Sequence, residues 1–100
     1  MATVQIRFNK PMDGIAPVES AKNGAQETIT SGAGNTVSTV EAWASNCVGT
    51  VTAADGNVYV SFGQAPDATS DPDRILVIAG TTRSFGNLTG GDVCAVTDAA

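Results

Sequence analysis

Few side chains in this sequence could carry chemistry. The densest group is the acidic run 67–73, DATSDPD, in which Asp67, Asp71 and Asp73 could present oxygens to a hard cation such as calcium. The run lacks the alternating acidic positions and the distal bidentate Glu of an EF-hand loop. Its plainer reading is a turn-rich loop, in which Asp side chains accept hydrogen bonds from nearby backbone amides and Pro66 and Pro72 fix the chain between them. Histidine is absent, so neither a Ser-His-Asp nor a Cys-His grouping can be assembled, and a catalytic zinc would lack its commonest ligand. Paired carboxylates can act as acid and base, but the acidic residues fall mainly in predicted loops. No nucleophile stands beside a base at a recognisable spacing. The chain does not read as an enzyme, and it implies no cofactor and no metal.

The two cysteines, Cys47 and Cys94, lie in or beside predicted strands. With no export signal in MATVQIRFNK, they are expected to be reduced thiols packed as small apolar groups. Gly80, Gly86, Gly90 and Gly91 do not sit between a strand and a helix, so no phosphate-binding loop is implied.

A chain of 100 residues makes one domain and buries roughly two thirds of its unfolded surface. Only 15% of residues are charged, with a formal net charge of -5 and a pI near 4.2. The five basic residues, Arg7, Lys10, Lys22, Arg74 and Arg83, are scattered. Nucleic-acid binding needs clustered cations that displace counterions from phosphates, so no nucleic-acid partner is expected. No apolar run approaches the roughly 18 residues needed to span a bilayer, so no membrane partner is expected and the product reads as soluble and made in the cytoplasm. Sparse charge and many small residues suit surfaces that meet other proteins.

The elements that would position these groups read as short strands. The centre of the pattern is 57–98, where Val58, Val60 and Phe62 alternate with Tyr59 and Ser61, the period-2 mark of a half-buried strand. Residues 3–8, TVQIRF, alternate likewise with Val4, Ile6 and Phe8 on one face, and predict a short strand or an extended arm. Residues 9–24 hold Pro11, Gly14, Pro17 and Gly24 and read as a loop of a length that is usually functional or ordered by a neighbour. Residues 27–31 predict a weak strand. The stretch that follows allows either a hairpin partner over 36–42 or a short helix over 40–46 carrying Trp43. The Asp55-Gly56 pair between the β-branched run 47–54 and the strand at 58 predicts a tight hairpin. RILVIA, 74–79, is apolar on both faces and predicts a strand in the middle of a sheet. Strands over 83–88 and 93–97, separated by a Thr89-Gly90-Gly91-Asp92 turn, complete an all-β antiparallel sandwich or jelly roll. An N-terminal strand, arm and loop (1–26) precedes the sandwich core (27–100).

From residue 58 onward the chain resembles small structural proteins encoded in the virion gene clusters of tailed bacteriophages and related gene-transfer particles. The likeness is carried by Val58, Val60, Phe62 and Gly63, by Pro66, Ala68 and Thr69, by Ala79, Gly80, Thr81 and Thr82, by Phe85, and by Gly91, Asp92, Ala95 and Val96. Ser84-Phe85 replaces the usual Tyr-Phe pair, and the N-terminal portion carries no part of the motif. The resemblance implies a β-sandwich on a virion, as a decoration, cement or fibre-base component. The partner would be the major capsid protein or another virion protein, with a homo-oligomer expected. On that basis residues 2–24 are expected to clamp the lattice or a neighbouring copy, with Val4, Ile6, Phe8 and Ile15 as buried anchors. The alternative is an outer-surface or tail-associated module that touches a host surface or glycan through Tyr59, Trp43 or the 67–73 loop.

Overall fold

The computed structural model describes residues 1–9, 25–43 and 47–99, and among them every regular element is a strand. In chain order these are β1 (Thr3–Asn9), β2 (Ala25–Thr30), β3 (Thr36–Val37), β4 (Cys47–Ala53), β5 (Val58–Gly63), β6 (Ile75–Val77), β7 (Thr81–Leu88) and β8 (Val93–Asp98). They form two four-stranded sheets, ordered β2-β1-β4-β7 and β3-β8-β5-β6, and every pairing is antiparallel. The expected all-β antiparallel sandwich is thus present.

The alternation seen in the sequence explains the packing. Val4, Ile6 and Phe8 from β1 meet Val51 and Ala53 from β4 on the inner face of one sheet. Val58 and Val60 from β5, Cys94 and Val96 from β8 and Val77 from β6 line the other, and all of these are fully buried. Phe8 meets Phe62 edge-on across the interface, with ring centroids 6.1 Å apart and planes at 84°, a favoured aromatic geometry. Each fully buried Val, Ile or Phe contributes about 1.5–3 kcal/mol relative to an exposed position. Both cysteines are free thiols within this core, and burial pushes the Cys94 thiol up to about 12.

The winding differs from a succession of hairpins. The connections β2 to β3, β3 to β4, β4 to β5, β6 to β7 and β7 to β8 all cross between the sheets. Strands β2 to β8 follow the path of the first seven strands of an eight-stranded jelly roll. β1 occupies the place of the eighth, between β2 and β4.

Three sequence expectations are corrected by this winding. The Asp55-Gly56 pair makes no hairpin, because β4 and β5 lie in different sheets. Gly80 (φ 79°) and Gly91 (φ 93°) take left-handed conformations, and Gly56 does not. Instead, Asp55 Oδ1 accepts the Thr3 amide at 2.7 Å, and Gly56 passes so close to Ala2 that an added Cβ would stand 3.1 Å from the Ala2 Cβ. Asp and Gly therefore serve a tie to β1 and a close chain crossing. The hairpin reading of 27–31 with 36–42 also fails, since β2 and β3 are in opposite sheets; residues 40–43 are not helical, and 44–46 lie outside the described residues. RILVIA gives β6, an edge strand rather than a central one, with Leu76 and Ile78 exposed. Of the two readings of residues 3–8, the short strand is the one present, as β1, an inner strand flanked on both sides. The predicted loop is described only at Asn9, the last residue of β1; its remainder, 10–24, lies outside the described residues.

Candidate interaction surfaces

Three of the four expected partner anchors are not available to a partner. Val4, Ile6 and Phe8 have no exposed surface and belong to the chain's own core; Ile15 lies outside the described residues. The pattern that made these residues look like anchors is the one every core strand shows. What distinguishes β1 is its other face, where Thr3 and Gln5 are exposed and Arg7 is half-buried.

The outer face of the β3-β8-β5-β6 sheet is largely covered by the chain itself, with Val37 and Leu76 left exposed at its edges. Ser61, Ala95 and Thr97 point away from the core by strand parity, yet all are buried. Thr97 donates to the Gly32 and Ala33 carbonyls of the β2 to β3 connection, both at 3.2 Å, while the connection from β5 to β6 folds back over Ser61 and buries Ala68. Its attachments are specific. Asn35 Nδ2 donates to the Pro66 carbonyl at 3.1 Å and Asn35 Oδ1 accepts the Ala68 amide at 2.8 Å. The Ser61 hydroxyl donates to Asp71 Oδ2, which also accepts the Asp67 amide at 2.9 Å. Asp67 Oδ1 in turn accepts the Thr69 amide at 3.0 Å. These bonds stabilise the ionised forms, so the Ser61 hydroxyl holds the Asp71 carboxyl below the ordinary range and the Thr69 hydroxyl does the same for Asp67. The acidic run is therefore a set of turns that covers part of a sheet. Among the described residues, no group of three or more acidic or thiol side chains gathers as metal ligands would. Tyr59 is half-buried on this face beneath Arg74, whose guanidinium carbon lies 4.1 Å from the ring centroid, which occupies the ring face that a sugar would need.

A second tie closes the end of the sandwich. The Ser31 hydroxyl donates to Asp98 Oδ1, Asp98 Oδ2 pairs with the Met1 ammonium at 2.9 Å, and the Ala2 amide donates to Ser31 Oγ at 2.9 Å. The Ser31 hydroxyl, followed by the Met1 ammonium, lowers the Asp98 carboxyl from its ordinary value.

The outer face of the β2-β1-β4-β7 sheet is different in kind. By register, Thr28, Gln5, Thr52 and Thr82 form one row across it and Gln26, Arg7, Thr50 and Ser84 the next, with Thr30 and Thr3 paired beyond them. Hydroxyls link neighbouring strands, Thr52 to Thr82 at 2.8 Å and Thr50 to Ser84 at 3.2 Å, and Arg7 donates to Gln26 Oε1 at 3.2 Å. No carboxylate stands in these rows, although the chain as a whole is acidic. Outward Thr and Gln suit a β-strand exposed on one face but supply none of the apolar signal by which anchors are read from sequence, so this face escapes such reading.

Both edges of that sheet carry an ionic residue on the core-facing side. Glu27 on β2 accepts the Thr39 amide at 2.7 Å, the Thr39 hydroxyl at 2.8 Å and the Val40 amide at 3.5 Å. Burial raises its pKa, but the Thr39 and Val40 hydrogen bonds outweigh that and leave it below the ordinary value. Arg83 on β7 donates to the Leu76 carbonyl at 3.1 Å and lies 5.6 Å from the Phe85 ring centroid. Comparison of the chain with protein-family models, with curated proteins and with solved structures gave no match.

Proposed function

We propose that the protein is a structural subunit of a tailed-bacteriophage virion, a capsid decoration or cement protein. It is made in the host cytoplasm and binds the major capsid protein lattice through the open face of the β2-β1-β4-β7 sheet. The observation that carries this reading is the contrast between the two outer faces: one largely covered by the 63–74 connection and residues 32–35, the other an open array of hydroxyl and amide groups in fixed register with no carboxylate in its two full rows. Such an array offers many hydrogen bonds on a rigid support and suits repeated contact with a protein shell. The resemblance of residues 58–98 to virion structural proteins supports a virion shell as the partner. Val4, Ile6 and Phe8 act within this reading as the core behind the face, and copies sit side by side on the lattice as a homo-oligomer.

The test is occupancy on shells from which the protein has been removed. The wild-type chain is expected to rebind, and Thr28→Glu or Thr52→Glu, each placing a carboxylate in the array, to lower occupancy while the amide spectrum stays that of the folded protein. Rebinding undiminished in both variants, or binding to host glycans with none to shells, would overturn the proposal.

A further inference from the structure

The two sheets do not close equally well along the side formed by β6 and β7. β5 pairs with β6 only from Val58↔Val77 to Val60↔Ile75, whereas its pairing with β8 continues to Gly63↔Val93. Residues along a strand direct their N–H and C=O groups to alternate sides. The Asn57 carbonyl accepts the amide of Ala99, just past the end of β8, so Val58, Val60 and Phe62 direct theirs toward β6. At Phe62, β6 has already ended.

Opposite this open edge stands β7, and between them lies a notch of about 400 Å³, floored by Val60, Phe62, Phe85 and Leu88 and rimmed by Ser84 and Asp73. The Phe62 and Phe85 rings lie 5.2 Å apart on its floor. Asp73 is exposed, and among the described residues no hydrogen bond or ion pair engages its carboxylate. The other carboxylates of this loop, Asp67 and Asp71, are both taken up in its turns.

We propose that the notch receives an extended polypeptide segment of a partner protein. The segment adds to the open edge of β5 as a short strand, sets one apolar side chain on Phe62 and Phe85, and brings a lysine or arginine to Asp73. Three features select this occupant. The main-chain groups of Phe62, which lie beyond the end of β6, are matched by another backbone, which a small apolar molecule lacks. The volume suits one large side chain with its flanking main chain. The carboxylate on the rim of an acidic protein favours a basic segment. This site adjoins the open sheet face at Ser84, but it does not depend on the virion reading.

Two measurements test it. Hydrogen exchange on the free protein is expected to show the Phe62 amide exchanging at least about 100-fold faster than the Val60 amide, as an unpaired edge requires; equal protection means that the edge is already covered and overturns the proposal. The capped peptide Thr-Leu-Thr-Lys-Thr, titrated to millimolar concentration, is expected to shift the amides of Phe62, Gly63, Phe85 and Gly86 and to slow exchange at Phe62. The same peptide with Glu in place of Lys is expected to bind more weakly. Asp73→Lys, at an exposed site outside the core, is expected to weaken the Lys peptide by roughly fivefold and to reverse the preference. Shifts located elsewhere, no shifts at all, or affinities indifferent to both charge changes would each overturn it.

Discussion

At the scale of single residues, small groups decide how tightly the sheets approach. Gly49 faces the core, where an added Cβ would stand 2.9 Å from Phe62 Cε1 and 3.0 Å from Leu88 Cδ1. Gly49→Ala is therefore expected to cost about 1–3 kcal/mol through overpacking. Gly32 has nothing within 4 Å of such a Cβ, so Gly32→Ala is expected to stay within about 0.5 kcal/mol of the parent; urea titration of both variants makes the comparison. The buried Ser61 hydroxyl has one partner, Asp71, and Ser61→Ala is expected to cost about 1 kcal/mol. The same pair contributes to the acid response, alongside Glu27 and two further aspartates. Asp67, Asp71 and Asp98 all have folded-state pKa values below their ordinary ones. Their contribution is thus complete above the unfolded value of about 4 and is lost as pH falls through the lower folded values. The urea midpoint should be flat from about pH 6 down to about pH 5 and then fall toward pH 3, with a shallower fall in Asp71→Asn. A midpoint that rises on acidification would contradict the assignment.

At the scale of elements, the edges of the two sheets carry features that oppose strand-to-strand addition of a second copy. In one sheet the edges are the short β3 and β6, of two and three residues. In the other they are the longer β2 and β7, each with a core-side ionic residue, Glu27 or Arg83, whose polar end is satisfied across the gap between the sheets. A second chain pairing there would crowd these groups, and an inward charge is a recognised protection of an edge. Glu27→Val and Arg83→Val are expected to promote concentration-dependent association, seen as a rise in sedimentation coefficient that the parent lacks. No rise in either variant would show that the edges are guarded otherwise. Strand positions were readable from the sequence because alternation such as Val4-Ile6-Phe8 or Val58-Val60-Phe62 follows from burial on one face. Strand partners were not, because alternation does not say which sheet a strand enters. Asp55-Gly56 reads as a hairpin from its residue types, and only the Thr3 amide on Asp55, with Ala2 against Gly56, shows why it is a crossing. The open Thr and Gln face was equally silent, since outward hydroxyls look the same on any strand.

At the scale of the whole molecule, the strand order makes a specific claim about connectivity. β1 fills the place of a jelly roll's final strand, and the β8 end reaches it directly: Asp98 pairs with the Met1 ammonium at 2.9 Å, and Ser31 ties Asp98 to Ala2. The connection that an ordinary jelly roll would make from β8 into β1 is here replaced by side-chain bonds, and the chain instead joins β1 to β2 through residues 10–24. Joining the present ends with a few glycines and reopening the chain within 10–24 would restore the ordinary order without moving any strand. Exchanging a connection of about 15 residues for one of about 4 changes the loop-closure cost by only about 1 kcal/mol, and neighbouring chain ends are where such rearrangement is tolerated. The permutant is expected to fold, to keep the amide shifts of β4, β5 and β8, and to unfold in urea within about 1–2 kcal/mol of the parent. It should also lose part of the acid sensitivity contributed by Asp98, because the ammonium that helps hold that carboxylate ionised becomes a peptide bond while the larger contributor, the Ser31 hydroxyl, stays. A permutant that collapses without the parent's core shifts would mean that β1 is held by its link to β2 rather than by its place between β2 and β4.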